Sequence, residues 1–533
     1  MDVIDMVIKL FGGLGLFLFG MKLMGDGLEN AAGSKLKGIL EKVTSNKYLG
    51  VLIGALVTAV IQSSSATTVM VVSFVNAGLM SLVQSVGVIM GANIGTTITA
   101  QMVSFDLNKI APIFIGVGAI IVLVSKRKKT KDIAYIALGF GVLFLGMGMM
   151  SESMQPLAAS SMFKETIAII GSSRFLGVLT GLIMTAIVQS SSATTGILVA
   201  LATTGSIDMN VALPIIFGCN IGTCVTALLA AVGSNKTAKK AALIHLLFNV
   251  IGVIIFLPFV TIVIDIVQKI NPTNVARQVA NAHTIFNLCV TIILLPLSKY
   301  LVVIVNKIIP GDEIIDNVGA IYLDEKLLET PMVATGQVLK ETVRMAELAK
   351  NNVEISMKAF LENDEKLIDT VYKNEQIINT LEKQITNYLV LLSSHDLPEE
   401  DSQTISNTFH VINDIERIGD HAENIVELAI EKNETKVNIK GEAKEELINM
   451  YSKTLEAITL AVNAYSKNDI IEARKMSDVE NAIDKYKKDI RENNIKRLNN
   501  KTCESNGSAI FLDLISNLER IGDHSNNIAQ TVL

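Results

Sequence analysis

From Tyr48 to Phe105 the chain carries no Asp, Glu, Lys, Arg or His. A bilayer core takes ~20 helical residues per crossing, so this run is long enough for more than one pass and commits the first half of the chain to a membrane. Set into it is a polar septet, Gln62-Ser63-Ser64-Ser65-Ala66-Thr67-Thr68, which returns unchanged as Gln189-Ser190-Ser191-Ser192-Ala193-Thr194-Thr195. An unpaired hydroxyl or amide in hydrocarbon costs roughly 2–7 kcal/mol, so the same septet kept twice points to a paired binding site. Close packing by small Ser/Thr patches is the competing reading. It explains one such stretch more readily than two identical copies.

The duplication extends beyond the septet. Gly50-Val51-Leu52-x-Gly54 and Gly177-Val178-Leu179-x-Gly181 precede the two copies, while Gly91-x-Asn93-Ile94-Gly95-Thr96 and Gly218-x-Asn220-Ile221-Gly222-Thr223 follow them, every pair offset by 127 residues. Gly15–Met24 resembles Gly141–Met150 at an offset of 126. Two homologous repeats, about 1–127 and 128–265, therefore build a membrane domain over 1–308, with an extra helix at about 279–305.

Lysine placement orients the repeats, because Lys and Arg accumulate in cytoplasmic loops. Lys126-Arg127-Lys128-Lys129-x-Lys131 marks one such loop and Lys236, Lys239 and Lys240 another; five lysines between Lys22 and Lys47 face only Lys164 and Arg174 in the counterpart segment. With crossings at about 6–24, 81–104, 108–125, 132–151, 210–232, 241–263 and 279–305, these loops agree only if the two septet regions are re-entrant hairpins entering from opposite sides. The expectation is an inverted-topology repeat with the N-terminus outside and the C-terminal half in the cytoplasm. Met1-Asp2-Val3-Ile4-Asp5 lacks the basic start of a cleavable signal, so the first apolar run reads as a mature helix.

A Ser/Thr run inside apolar helix can unwind, leaving half-helix N-termini whose N–H groups suit an oxyanion. Neither septet has Lys or Arg nearby. A bare dianion would be prohibitive in such a cavity, so co-bound cations must balance it, and the hydroxyls, carbonyls and the Asn93 and Asn220 amides are oxygen donors for alkali ions. The echo His245-x-x-Phe248-Asn249 and His283-x-x-Phe286-Asn287 puts His and Asn on one helix face; it reads as an interhelical hydrogen bond or as part of the site. Cys219, Cys224, Cys289 and Cys503 have no metal-type spacing and read as packing residues.

Residues 1–310 hold 21 Lys/Arg against 11 Asp/Glu, and the remainder 25 against 41, a net −16. The connector 309–334 is acidic. Beyond it, over 335–533, apolar residues at three and four spacing predict long amphipathic helices. Asp414-Ile415-Glu416-Arg417-Ile418-Gly419-Asp420-His421 is echoed by Asn517-Leu518-Glu519-Arg520-Ile521-Gly522-Asp523-His524, and Glu375-x-x-x-Asn379 by Glu480-x-x-x-Asp484. Two three-helix bundles in tandem follow. Carboxylates at i,i+4 share a face, and two such helices side by side can hold a divalent or iron-type metal cluster; the alternative is a solvated acidic face paired with Arg417 and Arg520.

The duplicated Gln-Ser-Ser-Ser segments with Gly-x-Asn-Ile-Gly-Thr resemble the type II sodium–phosphate cotransporter family over about 1–310, in its bacterial form. The tail resembles the phosphate-uptake regulator PhoU. The resemblance implies an all-α, inner-membrane importer of inorganic phosphate driven by sodium through alternating access, with a regulatory cytoplasmic domain. It implies that Gln62, Ser63, Ser64 and Ser65, with Gln189, Ser190, Ser191 and Ser192, line the phosphate and sodium site, to which Thr67, Asn93, Thr96, Thr194, Asn220 and Thr223 are added as candidates from the duplicated motifs. It implies metal ligation by Glu416, Asp420, Glu480, Asp484, Glu519 and Asp523; Glu375 and Asn379 form the counterpart pair, weakened because Asn stands where Asp is expected. A cytoplasmic regulatory partner and a homo-oligomer are admitted. A membrane-anchored sensor without transport, or a carrier of sulfate or a dicarboxylate, are the rivals. No nucleophile motif or phosphate-cradling Gly-Lys loop suggests an enzyme, and the acidic tail argues against nucleic acid.

Overall fold

The structure is a computed structural model and describes residues 3–32, 46–105, 107–311, 319–362, 364–395, 397–500 and 505–533. Among these residues the chain is all-helical, without a strand. It forms two compact units, Met1–Ile314 and Ile315–Leu533.

In the first unit, α1 (Val3–Ala32) lies against α7 (Lys128–Ala159). Gly13, Gly20 and Gly27 are spaced by sevens, and so are Gly139 and Gly146. A Cβ on Gly13 would fall 2.9 Å from the Gly146 carbonyl oxygen, one on Gly20 2.7 Å from that of Gly139, and one on Gly27 2.8 Å from that of Asp132. Ascending numbers on α1 meet descending numbers on α7, so these two homologous helices run antiparallel with their backbones in contact. Small residues at helix crossings allow this approach.

The septet region is a pair of short helices, α2 (Lys47–Ile61) and α3 (Ser64–Asn76), followed by α4 (Leu82–Gly95), α5 (Thr97–Val103) and α6 (Ala111–Val124). Its second copy is α9 (Arg174–Val188) and α10 (Ser191–Thr203), then α11 (Met209–Gly222), α12 (Cys224–Ala230) and α13 (Lys236–Phe256); α8 (Ser161–Gly171) precedes it. α2 and α4 pack in parallel: Gly87 lies against Lys47, and a Cβ on Gly95 would fall 2.6 Å from the Ala55 carbonyl oxygen. The second repeat copies this, with Gly177 against Pro214 and Gly222 2.7 Å from the Leu182 oxygen on the same construction. Because α4 starts level with the start of α2, α3 must carry the chain back to the end from which α2 set out. α10 does the same for α9.

The return helices cross to the other repeat. α3 packs on α12 and α13, where Val72, Ala227, Ala231, Ala238 and Ala242 form a small core. α10 packs on α5 and on α15 (Val275–Leu294). α13 and α15 thus occupy matching places, which gives their His-x-x-Phe-Asn echo a structural basis. Between them lie a 3-10 turn over Leu257–Phe259 and α14 (Val260–Ile270).

The single crossing expected at 279–305 is instead a bent pair: α15 meets α16 (Ser298–Ile308) at 81°. Pro296 cannot donate a backbone N–H and breaks the helix; at the bend the Leu295 carbonyl accepts from the Ser298 N–H at 3.2 Å and from the Lys47 ammonium at 2.9 Å. Among the described residues five helices are long and apolar enough to cross a membrane, or up to seven if each bent pair is one span.

The second unit has two three-helix bundles: α17 (Pro331–Glu362), α18 (Ile368–Ser393) and α19 (Glu399–Glu434), then α20 (Glu442–Lys467), α21 (Ile470–Asn499) and α22 (Ser505–Gln530). The connector is shorter than 309–334 suggests. From Gly319 the chain is folded onto this unit, since the fully buried Glu341 carboxylate accepts the backbone N–H groups of Ile321 and Tyr322 at 2.8 and 2.7 Å. α19 and α22 join the bundles. There His421 Nδ1 lies 2.8 Å from Asn517 Oδ1 and His524 Nδ1 2.8 Å from Asp414 Oδ1, a reciprocal pair of contacts that follows the duplicated sequence.

Candidate functional site

Each septet folds as a helix break of one design. Gln62 ends α2 in the left-handed region at φ 58°, and Gln189 ends α9 at φ 57°. Ser63 and Ser190 then N-cap the next helices, their hydroxyls accepting the N–H of Ala66 and Ala193, both at 3.1 Å. Thr67 N–H is taken by the Ser63 carbonyl and Thr194 N–H by that of Ser190. The caps leave the N–H groups of Ser64, Ser65, Ser191 and Ser192 outside the helical bonding pattern, at the positive end of a helix dipole. Thr58 donates to Thr67 at 3.0 Å and Thr185 to Thr194 at 3.2 Å, tying each break across its two half-helices.

Two further bonds bring the septets together. Thr96 Oγ1 lies 3.4 Å from Ser192 Oγ, and Thr99 Oγ1 donates to Gln62 Oε1 at 2.8 Å. Residues three apart share a helix face, so both septets meet one face of α5 within a single turn. Thr99 was not among the expected site residues. The signal lay in extending the repeat: Gly-x-Asn-Ile-Gly-Thr-x-x-Thr holds for Thr99 and, 127 residues on, for Thr226.

The remaining expected residues have defined places. The Asn93 and Asn220 amides are buried, each donating at 3.0 Å to its own helix, at Ile89 O and Ile216 O. Thr96 and Thr223 stand at the breaks between α4 and α5 and between α11 and α12. Thr223 Oγ1 donates to Cys219 O at 3.0 Å. Ser64 and Ser191 are buried, Ser65 and Ser192 half-buried. The copies differ in one respect: Gln62 is buried under α1, where Gly25 faces Ile61 O and Gln62 Cβ, whereas Gln189 is exposed. The His245 and His283 rings are buried without a hydrogen-bond partner, and the Asn249 and Asn287 amides bond back to His245 O and His283 O. Asn249 Nδ2 also lies 3.3 Å from Cys224 Sγ. Cys219 and Cys224 are buried free thiols; Cys503 lies outside the described residues.

In the second unit Asp484, Glu519 and Asp523 bring one carboxylate oxygen each to within 4.8 Å of one another. Burial and the carboxylates around it, Glu519 first, raise Asp523; Glu480, whose Oε1 accepts from Asn526 at 2.7 Å, is also raised by burial. Glu519 has one buried oxygen without a partner while the other pairs with Lys487 at 2.6 Å. Three converging carboxylates with an orphaned buried oxygen fit a hard divalent cation. Among the described residues the first bundle does not converge in this way. Arg417 draws Asp420 to 3.1 Å and Glu416 to 3.7 Å, and the half-buried Asn379 carries no charge. Glu375 is 3% exposed, against Gly419, with neither oxygen hydrogen-bonded. Burial first, then Asp420, Glu423 and Glu416, push its carboxyl up to about 8. Glu423 is the neighbour that the sequence pattern did not single out.

These features define a polytopic helical membrane protein with duplicated polar helix breaks and an attached helical-bundle domain. The family model for the Na+/Pi-cotransporter matches residues 16–152 and 144–269, and that for the PhoU domain matches 342–429 and 447–532. The chain is 32% identical to the uncharacterized protein YqeW of Bacillus subtilis over 256 residues, 48% of this chain and 83% of that one. It belongs to the Na+/Pi-cotransporter family and carries PhoU domains. It is also 25% identical over 529 residues to the putative inorganic phosphate export protein YjbB of Escherichia coli K12, covering 99% of this chain and 97% of that protein. A PhoU crystal structure from Pseudomonas aeruginosa aligns over 37% of this chain and 93% of its own, at 24% identity and a TM-score of 0.35.

Proposed function

We propose that this protein moves inorganic phosphate across the inner membrane together with sodium, by alternating access around the two septets. The observation that carries the reading is the meeting of both helix breaks on one face of α5, through Thr96 with Ser192 and Thr99 with Gln62. Two capped half-helix N-termini offer N–H and hydroxyl donors to a phosphate while Gln62, Asn93, Asn220 and the septet hydroxyls supply oxygens to sodium. No permanent positive charge lies in either septet, so each ligand makes the other's binding favourable.

The antiparallel α1 and α7 and the returning septet helices support an inverted repeat with re-entrant hairpins, N-terminus outside and PhoU-like domain in the cytoplasm. The covered Gln62 and exposed Gln189 are then one closed and one open half, exchanged during transport. An inward sodium gradient drives import. Export is the second direction, favoured by the name of the E. coli relative that matches nearly the whole chain. The PhoU-like domain holds a divalent metal at Asp484, Glu519 and Asp523, with Glu480 beside them, and regulates the flux. The bound ion supplies positive charge that the carboxylates lack.

The test is uptake of labelled phosphate into proteoliposomes under an inward sodium gradient, and efflux from preloaded vesicles. Accumulation against the phosphate gradient separates transport from sensing, and competition by sulfate and dicarboxylates tests the anion. Retained uptake in the Ser64→Ala, Ser191→Ala double variant would sink the site assignment.

A further inference from the structure

The two halves of the membrane unit differ where their return helices pack. α3 of the first repeat rests on α12 and α13 in an apolar core of Val72, Ala227, Ala231, Ala238 and Ala242, with Leu228 against it. α10 of the second repeat rests on α5 and α15, and there the matching positions are polar. In the repeat register Gln101 and Ser104 stand where the other half has Leu228 and Ala231. In the register of the two His-x-x-Phe-Asn motifs, Asn281 and Thr284 stand where α13 has Leu243 and Leu246, and the half-buried Arg277 matches the exposed Lys239. Packing of this kind does not need polar groups, as the twin half demonstrates.

The polar groups form one bonded cluster. Gln101 Nε2 donates to Asn281 Oδ1 at 3.2 Å and to Thr284 Oγ1 at 2.9 Å, while Arg277 Nη1 donates to Ser104 Oγ at 2.9 Å and to Gln101 O at 3.3 Å. Arg277 Cζ lies 4.2 Å from the centre of the Phe105 ring, which covers one face of the guanidinium. Among the described residues no carboxylate pairs with Arg277 and Nη1 makes both of its hydrogen bonds, so most of its five donors are open to a ligand. Capping the end of α5 explains the bond to Gln101 O, but not the three polar side chains beside it. The cluster begins two residues past Thr99, roughly 3–8 Å along the α5 axis at ~1.5 Å per residue from where both septets meet. Thr195 Oγ1 on α10 and Thr291 Oγ1 on α15 are buried without a partner, although buried hydroxyls are ordinarily paired. The twin of Thr195, Thr68, donates to Ser64 O at 2.7 Å.

We propose that Arg277, with the Asn281 amide and the Gln101–Thr284 pair beside it, forms an entry subsite that gathers the oxyanion before it reaches the septets. The inference rests on the transport reading and adds a residue to it. A cation without a carboxylate partner at the mouth of a cleft raises the local anion concentration and the rate of encounter, by about 10- to 1000-fold in focused sites. Ser104 and Phe105 hold this charge beyond Thr99, so it draws the anion in without replacing sodium at the septets.

The test is uptake of labelled inorganic phosphate into proteoliposomes of the full-length protein. Arg277→Gln should raise KM roughly tenfold with kcat within about twofold, Arg277→Lys should stay within about threefold of the wild type, and the exposed control Lys164→Gln should not change it. Added choline chloride at fixed sodium should raise the wild-type KM and leave that of Arg277→Gln flat. In Arg277→Cys, the cationic reagent aminoethyl methanethiosulfonate should restore KM and the anionic sulfonatoethyl reagent should not, with treated wild type as the blank. A merely structural Arg277 would lower the melting temperature and kcat with no change in salt dependence, and that result overturns the proposal. So does an unchanged KM in Arg277→Gln, or equal restoration by the two reagents. No uptake by the wild type overturns the transport reading and this one together, whereas normal wild-type uptake with an indifferent Arg277 overturns this one alone.

Discussion

Replacing Thr99 by Val separates the two halves of the site. Valine keeps the shape of threonine but removes the hydroxyl that donates to Gln62 Oε1 at 2.8 Å, and both side chains are buried, 1% and 8% exposed. Leaving that acceptor unpaired costs about 1–3 kcal/mol, which at 1.4 kcal/mol per decade lowers the closed Gln62 arrangement roughly 5- to 150-fold. The repeat mate, Thr226, is half-buried and among the described residues bonds only the Thr223 carbonyl at 2.8 Å, so Thr226→Val should cost less than about 0.5 kcal/mol. Thermal unfolding of the purified protein in detergent without ligand should show a clear loss for Thr99→Val and almost none for Thr226→Val. Sodium-dependent uptake should fall in both, because a cycle that exchanges the two halves uses each threonine in turn. Equal destabilisation by the two substitutions, or none from Thr99→Val, would refute the reasoning.

Gly218→Ala places a Cβ inside contact with the Val178 carbonyl and 2.8 Å from Leu182 N, which should cost roughly 3 kcal/mol by overpacking and lower the melting temperature; Gly116→Ala, with nothing within 4 Å, should be neutral or slightly stabilising. Glu375 titrates near 8 in the folded protein against an ordinary 4.5, so the folded state keeps a proton that the unfolded chain releases. Its contribution to stability therefore falls as pH rises from about 4.5 to 8 and is flat above. In chelator, Glu375→Gln should flatten that slope and gain on the order of 2–4 kcal/mol at pH 8; an unchanged pH profile would contradict the buried protonated carboxyl. Adding Mn²⁺ at a hundred times its dissociation constant should stabilise the PhoU-like domain by about 2.7 kcal/mol, and Asp484→Asn with Asp523→Asn should abolish the gain.

The helix break within each septet was legible because capping chemistry is local. A Ser that accepts its own helix's N–H needs only its neighbours, so a Ser/Thr run inside apolar helix marks where the helix opens, as it does at Ser63 and Ser190. Thr99 and its partner Gln62 are 37 residues apart, and only the repeat register, extended three positions past Gly-x-Asn-Ile-Gly-Thr, carries that information. The bend at Pro296 was readable from proline itself, yet the apolar run across it looks continuous to a hydropathy count. The metal-type motifs show the limit of i,i+4 reasoning. Spacing places Glu416 with Asp420 and Glu519 with Asp523 equally well, but whether they converge depends on what Arg417 and Lys487 do from the same or the neighbouring helix. The contact of α1 with α7 was foreshadowed by glycines seven apart, although the pattern alone named no partner.

The central claim is that phosphate and sodium require one another in a site without fixed positive charge. Equilibrium binding of labelled phosphate to the purified protein, titrated in sodium and again in choline at equal ionic strength, addresses it directly. The account expects affinity to be roughly ten- to a hundredfold weaker in choline, with phosphate raising sodium affinity by the same factor. Equal phosphate affinity in the two salts would contradict it.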